Sequence, residues 1–286
     1  MKNNYFKEIL AIRGMGQVIS VTAALCVMTI VFGIINPSFF SGENTTNLLR
    51  QVVPIMIIGI GQSFVMITGG IDLSIGSVAG MSSMISATLM TKGGMDPWVA
   101  SGITLAACCL VGLVNGMLVS LTKLPAFIAT LGTMIIVYGI NSLYYDFVGA
   151  SPISGFDSGF STFAQGFVAL GSFRLSYITF YALIAVAFVW VLWNKTRFGK
   201  NIFAIGGNPE AAKVSGVNVG LNLLMIYALS GVFYAFGGML EAGRIGSATN
   251  NLGFMYELDA IAACVVGGVS FSGGVGTVIG VVTGVI

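Results

Sequence analysis

Long apolar runs, interrupted by single charges or by Pro and Asn, set the pattern of the chain. A helix spans the hydrocarbon core of a bilayer with about 20 apolar residues, so the gaps between charges are read as spans. The first covers residues 17–35 and is closed by Asn36-Pro37. The second covers 52–71, and the third lies between Asp72 and Lys92. Residues 97–122, 125–145, 175–194 and 214–240 give four more. After Asp259 no charge follows, and Gly267, Gly268, Gly273, Gly274, Gly276, Gly280 and Gly284 predict a short broken helix and the start of another span. The pattern predicts an all-α, polytopic integral membrane protein. It forms one domain over 1–286, with about eight to nine transmembrane or re-entrant helices, some of them broken. The end within Gly284-Val285-Ile286 carries no polar tail, so truncation at the C-terminus is expected.

Composition agrees with this. Of 286 residues, 56% are hydrophobic and 8% charged, against about a quarter charged in a soluble domain. So few charges exclude a soluble globule, a disordered chain and a nucleic-acid binder. There is no histidine, which removes imidazole acid–base and metal chemistry. Cys26, Cys108, Cys109 and Cys264 lie in apolar stretches without metal-ligand spacing and read as small buried hydrophobes. The 40 glycines suit close helix packing, with Gly76/Gly80, Gly112/Gly116, Gly216/Gly220 and Gly280/Gly284 as candidate faces. No cofactor or metal is expected.

Lys and Arg in short loops set orientation. With the N-terminus inside, Lys2, Lys7, Arg13, Lys123, Lys195, Arg197, Lys200 and Lys213 share the cytoplasmic side, against Arg50, Lys92, Arg174 and Arg244 outside. Two long loops result: 146–174 outside, rich in Ser, Gly and Phe, and 194–216 inside, carrying four of the bases.

Three constellations stand out. In the inner loop, Asn208 is placed to cap a short helix, with Pro209 at its first position, Glu210 in its first turn, Ala211 and Ala212 favouring it and Gly216 ending or bending it. A plain basic loop is the simpler reading of the charge. In Gly69-Gly70-Ile71-Asp72-Leu73-Ser74-Ile75-Gly76-Ser77, Asp72 is the only charge between Gln51 and Thr91. A lone carboxylate in lipid is costly and must face protein, water or a helix N-terminus. Gly69-Gly70 permits a break, and Asp72 with Ser74 reads as a helix cap, either structural or part of a gate. In the third, Glu257 and Asp259 precede a helix and a Gly-rich turn, echoing the Asp72 region as a weak internal repeat or a plain helix start. No Gly-Lys-[Ser/Thr] phosphate loop is present, so any ATP is bound by another chain.

Jointly, Gly69–Ser77, Lys123-Leu124-Pro125-Ala126-Phe127-Ile128-Ala129-Thr130-Leu131-Gly132, Gly206-Gly207-Asn208-Pro209-Glu210-Ala211-Ala212 and Glu257-Leu258-Asp259-Ala260-Ile261-Ala262-Ala263 resemble the membrane permease subunits of ribose/galactose-type ABC sugar importers. Beyond about Leu131 the chain is most similar to galactose-type members, and before it to ribose-type ones. The resemblance implies a fold of about ten helices and a transporter subunit rather than an enzyme. It implies four partners: a cytoplasmic ABC ATPase, a periplasmic sugar-binding protein, a second permease subunit and membrane lipid. It places Asn208, Pro209, Glu210, Ala211, Ala212 and Gly216 at the ATPase; the lone carboxylates beside helix breaks make Gly70, Asp72, Ser74, Glu257 and Asp259 the candidates for the translocation path or its gate. Other cargo (autoinducer, nucleoside, branched-chain amino acid) and an ion-coupled carrier are the alternatives. A membrane enzyme is disfavoured, because no nucleophile–base pair is present.

Overall fold

The computed structural model describes residues 15–171 and 173–286. The basic N-terminal residues Lys2, Lys7 and Arg13 lie outside them. Twelve α-helices dominate the described residues. Helix α1 is Met15–Ile35, α2 Gly42–Ile67, α3 Ile75–Thr91, α4 Pro97–Thr122 and α5 Ala126–Phe147. After the short strand β1 (Ile153–Ser154) come α6 (Ser158–Gln165), β2 (Phe167–Leu170), β3 (Phe173–Ser176) and α7 (Tyr177–Lys195). Then follow α8 (Arg197–Gly207), α9 (Pro209–Val214), α10 (Val219–Ile245), β4 (Ser247–Ala248), α11 (Tyr256–Val266) and α12 (Val278–Val285). Six of these helices are long and apolar enough to cross a membrane: α1, α2, α4, α5, α7 and α10. Helix α3 is shorter, and α11 and α12 are about half a span each.

The expected spans differ from these chiefly at their edges, and local chemistry explains the shifts. Helix α2 starts ten residues before the expected position 52, because Ser41 accepts the Asn44 backbone N–H at 3.2 Å and Glu43 sits in the favourable first turn. Charges at Glu43 and Arg50 do not end a helix whose first turns lie at the membrane rim. Helix α10 starts at Val219 rather than 214, because Asn218 accepts the Leu221 N–H at 3.0 Å while Gly216 terminates α9.

Helix α10 is the central element and packs on α4, α2 and α3. Gly112 and Gly116 lie directly against the α10 backbone at Tyr227 and Leu224, where a β-carbon would collide. Gly280 and Gly284 do the same for α12 against α11. Gly76 and Gly80 face the backbone at Gly253 and Leu252. Gly216/Gly220 is no packing face: nothing approaches Gly216, which serves as a turn. The core between α2, α7 and α10 is closed by Phe64, which stacks on Phe233 at 5.9 Å and meets Trp193 edge-on at 5.5 Å.

Cys108 and Cys264 are buried, as the apolar context predicts, but Cys26 is exposed on the outer surface of α1. In a membrane-spanning helix that surface meets acyl chains, so lipid satisfies an apolar side chain that no core covers. At the end of the molecule opposite α8 and α9, residues 146–174 are more ordered than a loop. They hold α6, and β2 pairs with β3 antiparallel, Phe167 opposite Ser176.

Candidate coupling and translocation site

The loop between α7 and α10 is built of two helices. Asn208 accepts the Ala211 N–H at 3.0 Å, Pro209 opens α9, and Glu210 and Lys213 occupy its first and last turns. Gly216 follows the helix at φ +86°, a conformation that Gly adopts without strain. Its N–H bonds the Lys213 carbonyl, and Val217 N–H bonds the Ala212 carbonyl, closing the end. Only Ala212 of α9 is buried. Glu210 and its neighbours therefore stand free at the surface.

Helix α8 was not foreseen. Lys195, Arg197 and Lys200 placed 194–207 in a basic inner loop. Its apolar spacing was the available signal, since Ile202 and Ile205 are buried on one face with Gly199. Thr196 caps it, accepting the Gly199 N–H at 3.1 Å.

The break between α2 and α3 lies inside the protein. Asp72 is 1% exposed, and one of its carboxylate oxygens accepts both the Ser74 backbone N–H at 2.8 Å and the Ser74 hydroxyl at 2.6 Å. The capping residue proper is Ser74, and Asp72, two residues earlier, holds it. This corrects the expectation that Asp72 itself is the cap. Around this pair stand residues that sequence reasoning missed. Asn115 of α4 donates to the Ser74 hydroxyl at 2.9 Å and accepts from Thr133 of α5 at 2.6 Å. Leu73 N–H donates to Thr130 at 2.9 Å, and Asn141 donates to the Ser77 carbonyl at 3.1 Å. The Tyr227 hydroxyl of α10 lies beside Gly70. Asn115 is about two turns from the Lys123 end of α4, so the cluster sits within the bundle, not at its face. The signal was weak, because isolated Asn and Thr within apolar helices carry no spacing that points to a common partner.

Three Gly-Gly pairs, far apart in sequence, meet beside this break. Gly274 N–H donates to the Ile67 carbonyl at 2.8 Å. A β-carbon on Gly206 would collide with the same carbonyl and with the Gly274 nitrogen, and one on Gly273 would stand 2.9 Å from the Gly69 nitrogen. Backbone thus touches backbone where Gly69-Gly70, Gly206-Gly207 and Gly273-Gly274 converge. The helix that precedes α9 is seated on the joint that sets Asp72.

Gly70, Asp72 and Ser74 are therefore brought together. Glu257 and Asp259 are not part of that cluster. Both lie in the first turn of α11. Glu257 lies half-buried against Gly76, the second residue of α3, and Asp259 is exposed. Near the opposite end of α10, Glu241 accepts two bonds from Arg244, at 2.8 and 2.7 Å, and one from the Tyr256 hydroxyl at 3.3 Å. This pair ties α10 to the start of α11 and was likewise missed, since a Glu–Arg pair three apart is common on any helix.

A multi-pass bundle with a free capped helix on one end and a broken helix inside has the build expected of the membrane subunit of a transport system. Residues 44–286 match the family model described as branched-chain amino acid transport system / permease component. The chain belongs to that permease family. It is 72% identical over 264 residues to the galactose/methyl galactoside import permease protein MglC of Escherichia coli (strain K12), covering 88% of this chain and 78% of that protein. It is 40% identical over 275 residues to the ribose import permease protein RbsC of Bacillus subtilis (strain 168), covering 96% and 83%. It is 37% identical over 263 residues to the fructose import permease protein FrcC of Rhizobium meliloti, covering 91% and 73%. The match to MglC is longer than the part of the chain beyond Leu131, so the galactose-type likeness reaches into the first half as well. No solved structure matches the chain.

Proposed function

We propose that the chain is the permease subunit of a binding-protein-dependent ABC importer and forms the path for a monosaccharide, galactose or methyl galactoside. A cytoplasmic ATPase binds at α9, and a periplasmic binding protein delivers the sugar at the opposite end. A second copy of the permease completes the path in the inner membrane, with the N-terminus cytoplasmic. The names of MglC and RbsC support the cargo class. The orientation rests on charge. Lys123, Lys195, Arg197, Lys200 and Lys213 lie at the α8–α9 end of the bundle, while Arg50, Lys92, Arg174 and Arg244 lie at the other.

The observation that carries the mechanism is the glycine joint. Closure of the ATPase on ATP moves α9, and α8 continues directly into it. Because Gly206 touches the Ile67–Gly274 contact without intervening side chains, that movement reaches the α2–α3 break as a displacement of backbone. The break carries Asp72 and Ser74, and its bonds outward, from Ser74 to Asn115 of α4 and from Leu73 to Thr130 of α5, have one arrangement in this structure. Interfaces and packed cores switch between discrete arrangements rather than deforming smoothly, so a shift there opens or closes the path. Glu257, beside Gly76 at the start of α3, and Asp259 lie further along the same path. Uptake by proteoliposomes holding the permease, ATPase and binding protein tests this reading. Sugar accumulation must require internal or external ATP on the α9 side and persist with an uncoupler. Accumulation that follows an ion gradient without ATP overturns it.

A further inference from the structure

At the end opposite α9, the start of α2, the end of α6 and the β2–β3 hairpin border an open pocket of about 540 Å³, in which Glu43, Asn47, Gln165, Phe167 and Arg174 are exposed. It shares no residue with the Asp72 cluster. Pockets for small molecules typically have volumes of about 300–1,000 Å³. Glu43, Asn47, Arg50, Gln165 and Arg174 line it, with Phe167 at their side. Its three charged groups form no ion pair with one another or with any other described residue. The Arg50 Nε is buried and has no hydrogen-bond partner. Gln165 spends its amide N–H on the Gly243 carbonyl, at 2.8 Å, which leaves its side-chain oxygen to accept. The Arg174 guanidinium lies over the Phe167 ring at 4.7 Å, which fixes both as a flat wall.

The ligand class follows from this donor and acceptor set. An anion would satisfy the two guanidiniums but face the Glu43 carboxylate. A cation would meet the reverse arrangement. A neutral polyol satisfies all of them, since each hydroxyl donates to a carboxylate or amide oxygen and accepts from a guanidinium or amide N–H. An aromatic ring beside such groups also suits the apolar C–H face of a pyranose. A second hollow of about 320 Å³ shares Glu43 and Asn47 and extends the polar lining through Asn44 and Ser41.

We infer that this pocket is a receiving site for a neutral hexose, one that holds the cargo at the outer end before it enters the path. The inference rests on the importer reading for the identity of the cargo and the side it arrives from. The test is saturation-transfer NMR with galactose on the whole protein in lipid nanodiscs, with ATPase bound and no binding protein. Galactose signal is expected from the wild type and from Gly207→Ala, which changes nothing at this end. It is expected to fall at least fivefold in Glu43→Leu and Arg50→Leu, which remove the acceptor and the donors. Asn47 is exposed, so Asn47→Leu narrows the pocket without touching the core, and it is expected to lower the signal as well even if the other two variants fold poorly. Excess sodium phosphate is expected to leave the wild-type signal unchanged. No wild-type signal, equal signal in Asn47→Leu, or displacement by phosphate overturns the site. If the same protein retains its ATPase and imports sugar when reconstituted with ATPase and binding protein in proteoliposomes, such a failure touches only this site. Loss of ATPase binding would instead sink the importer reading.

Discussion

Adding one methyl group at Gly206 separates the role of the glycine joint from that of α9. In Gly206→Ala the new carbon falls roughly 1.5 Å short of normal contact with the Ile67 carbonyl oxygen and also strikes the Gly274 nitrogen. Both obstacles are backbone, so no rotamer change relieves them. Overpacking of this kind costs about 1–3 kcal/mol. Charged against only the arrangement in which α8 is seated, that shifts the balance between two states by roughly 5- to 150-fold. Because a transport cycle passes through both, ATP-driven galactose uptake is expected to fall by a factor in that range. Glu210 and the rest of α9 are untouched, so the amount of ATPase that co-purifies should stay at the wild-type level. Gly207→Ala is the internal control. It sits one residue on, with nothing within 4 Å of an added β-carbon, and should transport normally. Normal uptake by Gly206→Ala, or an equal loss in Gly207→Ala, would refute the idea that the joint carries the movement.

Other substitutions probe the remaining elements. Glu210→Arg reverses the charge in the first turn of α9, and Gly216→Leu forces a side chain into a positive-φ position at a cost of about 1–2 kcal/mol; both are expected to reduce ATPase recovery in pull-downs while leaving the permease in the membrane. Asp72→Leu removes the acceptor of two bonds from Ser74, each worth about 1.5–3 kcal/mol when charged, so uptake should drop at least tenfold with ATPase recovery unchanged. Asp72→Asn keeps an acceptor oxygen and should restore part of the uptake. Glu241→Ala leaves Arg244 and Tyr256 without their shared partner, and a loss of about 1–3 kcal/mol should appear as a fall of several degrees in Tm for the detergent-solubilised protein.

Charge spacing made the spans legible, because burying a Lys or Arg in lipid is costly enough to leave a mark in any sequence. Helix α9 was legible for a different reason: Asn208, Pro209 and Gly216 are local signals, each fixed by the backbone next to it. What stayed hidden depends on distant residues. Asn115, Thr133 and Thr130 matter because two neighbouring helices bring them to Ser74 and Leu73, and a polar residue in an apolar helix does not name its partner. The three Gly-Gly pairs were visible as composition, yet their meeting is a property of the packing alone. Helix α8 failed for a subtler reason. Its Gly199 and Gly206 fell in a stretch read as a basic loop, although each is small because another backbone passes against it.

The most direct test of the account is recovery of the partner that it places on α9. The tagged chain is expressed in a bacterial membrane, extracted in mild detergent and analysed by mass spectrometry beside Glu210→Arg. The account predicts an ABC ATPase in near-equal amount with the wild type and much less with the variant. A stable permease that retains no ATPase, or retains it equally in both, would contradict it.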